Sequence, residues 1–371
     1  MAAIFPTEPG PRLTPAHFDD LAGFSGDDLL DAFRVFQRSA TALCGGIAPT
    51  RKALGAPPAM HAAACAALRG TVADNAGARE FFLHWFQPHR VDPGKGEGAG
   101  LLTGYYEPRV AGSLTPTPDF TGAILARPAD LVAFPQGEGP AGLSGAQILP
   151  DGQKRPYPGR AEIEASMEQY PPILWLRDPV EVFLAQVQGS ACVDLTNGRC
   201  VRLAYDGRNG RPYTSIGRVL IEEGEIARED MSLSRLKLWL RKNGPGPGGR
   251  ARALMQRNQS YVFFKLVTDF DPADGPTGGS GIGLSALRSI AIDRTLWPYG
   301  LPFWINAELP WRGAAATVFR RLMIAQDTGS AIVGPARADI YVGQGDEAGT
   351  RAGAIRHFGQ FAVLLPREDR L

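Results

Sequence analysis

Two acids near the C-terminal end, Asp327 and Asp339, sit in short apolar runs punctuated by glycine. Met323, Ile324 and Ala325 lead into the first, and Ile340, Tyr341 and Val342 follow the second. A carboxyl group inside a strand-like apolar run is drawn partly out of water, and burial raises its pKa toward the range useful for donating a proton. A lone aspartate in such a place more often caps a turn or satisfies backbone donors. Company changes that reading. Asp293, after Ser289-Ile-Ala-Ile, adds a third carboxylate to the same strand-rich part of the chain. Carboxylates gathered at a barrel mouth permit acid–base chemistry. Other chemistries lack their residues. No serine occupies a Gly-x-Ser-x-Gly elbow, and no cysteine has a plausible histidine partner. The glycine-rich run 275–283 lacks the helix and Lys-Ser/Thr that a phosphate loop needs. Five scattered histidines and four cysteines without a Cys-x-x-Cys pair speak against a metal cluster, so no metal or cofactor is expected.

The elements that must position these acids follow from composition and periodicity. Of 371 residues, 45 are Gly and 31 are Pro, well above the usual combined share of roughly 12%. Such a chain should be rich in turns and short strands. A formal charge of +1 and no basic stripe argue against nucleic-acid binding. No apolar run approaches the ~20 residues of a membrane span, so a soluble chain is expected. The start, Met1 to Pro9, has neither a charged n-region nor a long apolar h-region and reads as a mature N-terminus.

Residues 26–90 read as helical, with Leu29, Leu30, Phe33 and Phe36 on one stripe, an alanine-rich segment near Met60–Leu68, and a third helix carrying Phe81, Phe82, Trp85 and Phe86 to about Pro88. His84 and His89, at the end of that helix, read as structural. From Gly100 to Glu107 runs a strand whose paired tyrosines, Tyr105 and Tyr106, put one ring on each face. Residues 109–160 read as loop-rich. A helix from Arg160, a strand at Ile173–Leu176 and a helix with Asp178 as N-cap and Pro179 at N1 follow. Asn197-Gly198 and Asn209-Gly210 predict two hairpins. Asn243-Gly-Pro-Gly-Pro-Gly-Gly, after a helix over 232–242, reads as a hinge or boundary. Six or so short strands beyond it, starting at Asn258–Phe264, predict a small barrel. Cys192 and Cys200 flank the first Asn-Gly turn, so a cross-strand disulfide is geometrically possible; Cys44 with Cys65 would then link two helices. Oxidised pairs would imply export, and buried free thiols are the alternative.

Five motifs in order then carry a resemblance: Thr103-Gly-Tyr-Tyr-Glu-Pro, Gln186-Val-Gln-Gly-Ser, Tyr205 to Gly217, Asn258-Gln-Ser-Tyr-Val-Phe-Phe, and Ala325-Gln-Asp-Thr-Gly-Ser-Ala-Ile with Ala338-Asp-Ile-Tyr. Together they resemble the membrane-bound lytic murein transglycosylase A family, and the C-terminal part resembles its three-aspartate (3D) domain. The resemblance implies a mainly β protein with N-terminal helices. Residues 1–108 and 251–371 would form the helical segment and a double-psi β-barrel catalytic domain. Residues 109–250 would form an inserted β-rich glycan-binding domain, across a large groove. It implies non-hydrolytic cleavage of the β-1,4 bond between N-acetylmuramic acid and N-acetylglucosamine, leaving 1,6-anhydromuramoyl ends. Asp339 would be the acid and then the base, assisted by Asp327, with Asp293 in support. Thr103, Tyr105, Tyr106, Gln186, Gln188, Ser190, Tyr205, Asn209, Tyr213 and Ser215 would meet the sugar. The partners implied are peptidoglycan glycan strands and other cell-wall enzymes, for a monomer on the periplasmic side of a Gram-negative envelope in contact with the outer membrane. Two other readings stay open: an inverting hydrolase on the same barrel, which would need a second essential carboxylate, and a non-catalytic peptidoglycan-binding module.

Overall fold

The computed structural model describes residues 10–94, 99–134, 140, 142–271 and 274–370; the stretch read as a mature start lies outside them. Two compact units divide the chain. The first takes it up to Tyr106, from past Asp271 to Gly343, and from Glu347 onward; the second takes Glu107–Asp271 and Gln344–Asp346.

In chain order, β1 (Leu13–Pro15) precedes three helices, α1 (Leu29–Gly45), α2 (Pro58–Arg69) and α3 (Asn75–Trp85), then β2 (Phe86–Val91) and β3 (Gly100–Glu107). Asp28 caps α1 by accepting from the Asp31 N–H, and Gly46 ends it in the left-handed conformation. Phe33, Phe36, Phe82 and Phe86 interlock edge-to-face or tilted, with centroids 5.6–6.4 Å apart. The third helix stops at Trp85, earlier than its pattern predicts. From Phe86 the burial alternates, with Phe86 and Pro88 inward, so Pro88 and His89 lie on a strand and not at a helix end. Pairing with Leu364 and Val363 supplies the tertiary reason.

The second unit holds β4 (Arg109–Ser113), β5 (Gly122–Leu125), β6 (Leu131–Ala133), β7 (Gly145–Ile148), β8 (Lys154–Pro156), α4 (Arg160–Ala165), β9 (Pro172–Leu176), α5 (Pro179–Gln188), β10 (Ser190–Leu195), β11 (Cys200–Arg208), α6 (Ile216–Glu222), α7 (Leu233–Lys242), α8 (Arg250–Arg257) and β12 (Val262–Val267). Six of its strands form one sheet, in the order β12-β11-β10-β4-β9-β5, and β6-β7-β8 form another. Ile124, Leu174, Leu176, Val193 and Leu203 pack the six-stranded sheet's core. Three expectations change here. Residues 109–160, read as loops, contain five short strands: β4 and β5 find partners distant in sequence, β9 and β10, while β6, β7 and β8 pair with one another. Asn209-Gly210 makes no hairpin, because β11 pairs with β10 and β12 and the chain after Arg208 runs on to α6. The Gly/Pro stretch at 243–249 is a connection from α7 to α8 inside this unit, and the strand beyond it, β12, pairs with β11 rather than joining the barrel.

The chain then supplies β13 (Ser289–Ala291), β14 (Pro302–Leu309), β15 (Thr317–Asp327), β16 (Arg337–Gln344), α9 (Gly345–Ala354) and β17 (Arg356–Pro366). β17, β14, β15, β13, β16 and β3 follow one another, and β3 pairs back onto β17, closing a six-stranded barrel of the kind the resemblance implies. Closure leaves those strands without free edges. β13 and β15 run parallel. Gly100, where β3 enters the ring, lies so close to Ala336 that a Cβ would stand 2.3 Å from its carbonyl oxygen. Trp297, Phe303, Ile305, Leu322, Ile324, Ile340 and Val363 are buried in this unit.

Candidate active site

Side chains on a strand alternate, so residues two apart share a face. On β3 that pairs Thr103 with Tyr105; on its neighbour β16 it lines up Arg337, Asp339 and Tyr341. The Thr103 hydroxyl donates to Asp339 Oδ1 at 2.6 Å. Arg337 donates from Nη2 to Thr103 Oγ1 at 2.8 Å and from Nη1 to the carbonyl of Ala338 at 2.5 Å. The Tyr105 hydroxyl donates to Asp327 Oδ2 at 2.8 Å, while its ring lies 5.5 Å from that of Tyr341.

Asp327 ends β15. Ala291 of β13 is in register with Asp327 on one side and Asp339 on the other. One strand therefore separates the two acids, placing their backbones about 10 Å apart at one level of the barrel. The second oxygen of Asp327 accepts from the Gly279 N–H at 2.7 Å. A Cβ on Gly279 would stand 2.4 Å from the Tyr299 hydroxyl, and one on Gly278 2.6 Å from the Gln326 carbonyl. The glycine-rich run is thus a loop drawn tightly against a carboxylate, an approach that only glycine permits.

Asp339 is partly exposed, yet packed by enough protein that burial raises its pKa to about 6. The Thr103 hydrogen bond and the Arg337 charge pull the other way, and the Asp327 charge adds to the rise. Burial first, and then Asp327, holds the Tyr105 phenol well above its ordinary value, so it remains a donor. Burial pulls the Arg337 guanidinium down, opposed by Asp339 and reinforced by Arg356.

Asp293 does different work. Its Oδ1 accepts from the Thr295 N–H and hydroxyl, and its Oδ2 from the Gly334 N–H at 2.8 Å, so it ties two turns together. The structure therefore brings together two hydrogen-bonded pairs, Thr103 with Asp339 and Tyr105 with Asp327, and the charge of Asp327 acts on Asp339. Tyr106, on the opposite face of β3, is buried with its ring against Gly349.

The remaining predicted sugar contacts lie in the second unit. Gln186 is 5% exposed; its oxygen accepts from Arg160 at 2.6 Å and its nitrogen donates to the Val262 carbonyl. Asn209 is fully buried, donating to the carbonyls of Pro158 and Gln259 and accepting from the N–H groups of Arg211 and Tyr261. Both amides are spent inside the unit, which corrects their reading as sugar contacts. Ser190 is buried and bonded to Glu107. Ser215 caps α6 by accepting from the Arg218 N–H. Gln188 and Tyr205 are partly exposed, and Tyr213 is 40% exposed.

Sequence reasoning missed Arg337 and Gly279. The signal for Arg337 was its place two residues before Asp339 on an alternating strand; Gly279 had only its glycine-rich neighbours to mark it.

The family model described as the MltA specific insert domain matches residues 101–265, and the 3D domain model matches residues 288–365. The membrane-bound lytic murein transglycosylase A of Vibrio cholerae serotype O1 is 38% identical over 188 residues, 49% of this chain and 48% of that protein. The chain spans about half the length of the curated relatives it matches. The crystal structure of the membrane-bound lytic murein transglycosylase from Agrobacterium tumefaciens superposes with a TM-score of 0.84 at 32% identity, covering 96% of this chain and 98% of that one. Escherichia coli MltA with bound chitohexaose gives 0.65 at 26%, covering 97% and 93%. A likeness at 32% identity over 98% of a solved relative, joined to both domain models in order, means that this chain belongs to the MltA family of lytic murein transglycosylases and carries that family's 3D domain.

Proposed function

We propose that the chain is a peptidoglycan lytic transglycosylase that cuts the β-1,4 bond between N-acetylmuramic acid and N-acetylglucosamine without water, with Asp339 as both acid and base. The observation that carries this reading is a packed carboxyl group on the 3D barrel, Asp339, held by the Thr103 hydroxyl at 2.6 Å and one strand away from a second acid, Asp327; burial there pushes its pKa up to about 6, toward the range useful for giving a proton. In the first half-reaction Asp339 gives its proton to the glycosidic oxygen as the C1–O bond breaks and an oxocarbenium-like centre develops. In the second, the carboxylate takes the proton of the same sugar's 6-hydroxyl while that oxygen bonds to C1. The proton count closes on a single acid, because the nucleophile belongs to the substrate. The charge of Asp327, which accepts from Tyr105 and Gly279, raises the Asp339 pKa and so favours its protonated form. The names of the relatives, lytic murein transglycosylase A, and the chitohexaose bound to the Escherichia coli enzyme support a β-linked amino-sugar strand as substrate. The same names, with "membrane-bound" among their words, support a place on the periplasmic side of a Gram-negative envelope, in association with the outer membrane. No helix among the described residues is long and apolar enough to cross a membrane.

The test is mass spectrometry of muropeptides released from purified sacculi. Wild-type chain should release anhydro ends and Asp339→Asn none. Hydrated reducing ends would replace the transglycosylase by a hydrolase. Binding without release by either protein would leave a wall-binding module.

A further inference from the structure

We propose that Arg337 is a positioning residue that fixes the direction of a hydrogen-bond chain, Arg337 to Thr103 to Asp339 Oδ1, and thereby reserves Asp339 Oδ2 for the proton that is transferred. The inference rests on reading Asp339 as the acid. Its geometry is direct: Nη2 of Arg337 lies 2.8 Å from Thr103 Oγ1, which lies 2.6 Å from Asp339 Oδ1. A guanidinium has five donors and no acceptor, and it stays charged in proteins. Thr103 must therefore accept from Arg337, and its single hydroxyl proton points at Asp339 Oδ1. An oxygen already receiving that proton is a poor place for the carboxylic acid's own hydrogen, so the acid hydrogen resides on Oδ2. Without Arg337 the threonine hydroxyl is free to turn, and either oxygen can carry the acid hydrogen.

The same chain poises the second half-reaction. Once Asp339 has given up its proton, the hydroxyl and the cation both favour the carboxylate, which must persist until the 6-hydroxyl delivers its proton. The groups facing Asp339 come from three strands: Thr103 and Tyr105 on β3, Arg337 and Tyr341 on β16, and Asp327 on β15. On β13 the register neighbour is the uncharged Ala291. Arg356 on β17 acts on Arg337 as a second cation and disfavours its charge. Asp327 opposes the carboxylate; Arg337, through Thr103, restores it. One acid asked to act in both directions needs such opposed neighbours.

The test compares wild type with Arg337→Met, Arg337→Lys, Thr103→Val and Thr103→Ser. Two readouts are taken: the pH dependence of kcat/KM for anhydro-muropeptide release, and the Asp339 carboxyl titration by carbon NMR, assigned by its absence in Asp339→Asn. Arg337→Met removes a cation and the directing donor. The NMR midpoint and the alkaline limb of activity should both move up by about one pH unit, and kcat should fall roughly tenfold with KM little changed. Arg337→Lys, still cationic and all-donor, should recover most of both. Thr103→Val should reproduce the loss and Thr103→Ser should repair it. Combining Arg337→Met with Thr103→Val should cost little more than either alone, because both break one chain. Unmoved midpoints in folded Arg337→Met, or additive losses in the double variant, would overturn the proposal. If Arg337→Met fails to fold, the lysine and threonine variants decide it by the same midpoints. Persistent anhydro release by Asp339→Asn would instead sink the catalytic reading, and the NMR midpoints would still report on the chain.

Discussion

Replacing Asp339 by Asn should stabilise the protein, and only above a defined pH. Folding raises the Asp339 pKa from 3.8 to about 6 because burial penalises the carboxylate more than Thr103 and Arg337 favour it. The folded state thus binds a proton that the unfolded state has already released, between about pH 4 and pH 6. Stability falls as pH rises wherever the native state binds more protons, so the wild type loses stability across that window. Roughly two pH units at 1.36 kcal/mol each sets a ceiling of about 3 kcal/mol. Partial exposure of Asp339 brings the expected value below that ceiling. Asn has nearly the same shape, keeps an oxygen for the Thr103 hydroxyl and carries no charge. The assay is the difference in Tm between Asp339→Asn and wild type, followed from pH 3.5 to pH 8; the subtraction removes every other titrating group. The difference should be small at pH 3.5, grow through pH 4–6 and level off near pH 7 with the variant higher by several degrees, given roughly 2–4 °C per kcal/mol for a unit of about 200 residues. A flat difference across pH, or a variant that becomes less stable as pH rises, would refute the claim that burial holds this acid protonated. Such a penalty is expected of a group kept for chemistry and not for folding.

Three further outcomes follow from groups outside the site. Arg288 is 1% exposed and forks onto Asp27 at 2.7 and 3.0 Å while also reaching Asp31, so Asp27→Ala should cost about 3–5 kcal/mol in chemical denaturation, and Arg288→Met in the same chain should recover part of it. Glu107 and Arg202 form a buried pair at 2.9 Å, and burial raises the glutamate to about 7 despite Arg202; Glu107→Ala should cost a similar ~3–5 kcal/mol, visible as lost hydrogen-exchange protection in β10 and β11. The thiols of Cys44 and Cys65 lie 2.8 Å apart and those of Cys192 and Cys200 2.9 Å apart, at sequence separations of 21 and 8 residues. Treatment with oxidised glutathione should form both disulfides with a mass loss of ~4 Da, the longer loop adding about 3 kcal/mol of stability. The exchange should speed up as pH rises, because the thiolate is the attacking form, and intermolecular products alone would contradict the pairing.

Much of the site was legible because its information is local. Alternation on β3 and β16 names the shared faces, apolar runs around Asp327 and Asp339 announce burial, and five motifs in order identify the family. Helix starts were equally local: Asp178 and Pro179 begin α5 by rules that need no tertiary contact. Other features belonged to the fold alone. A motif names residues and not what packs against them, so the resemblance put Gln186 and Asn209 among the sugar contacts, whereas in the fold distant backbone takes up their amides. Asn209-Gly210 has a hairpin's local chemistry, but pairing across the second sheet overrides it. Asp27 meets Arg288 across 261 residues, and Arg337 meets Thr103 across 234. A pKa is the extreme case of such dependence: residue type puts Asp339 near 4, and only the desolvation and charges assembled by the closed barrel lift it to about 6.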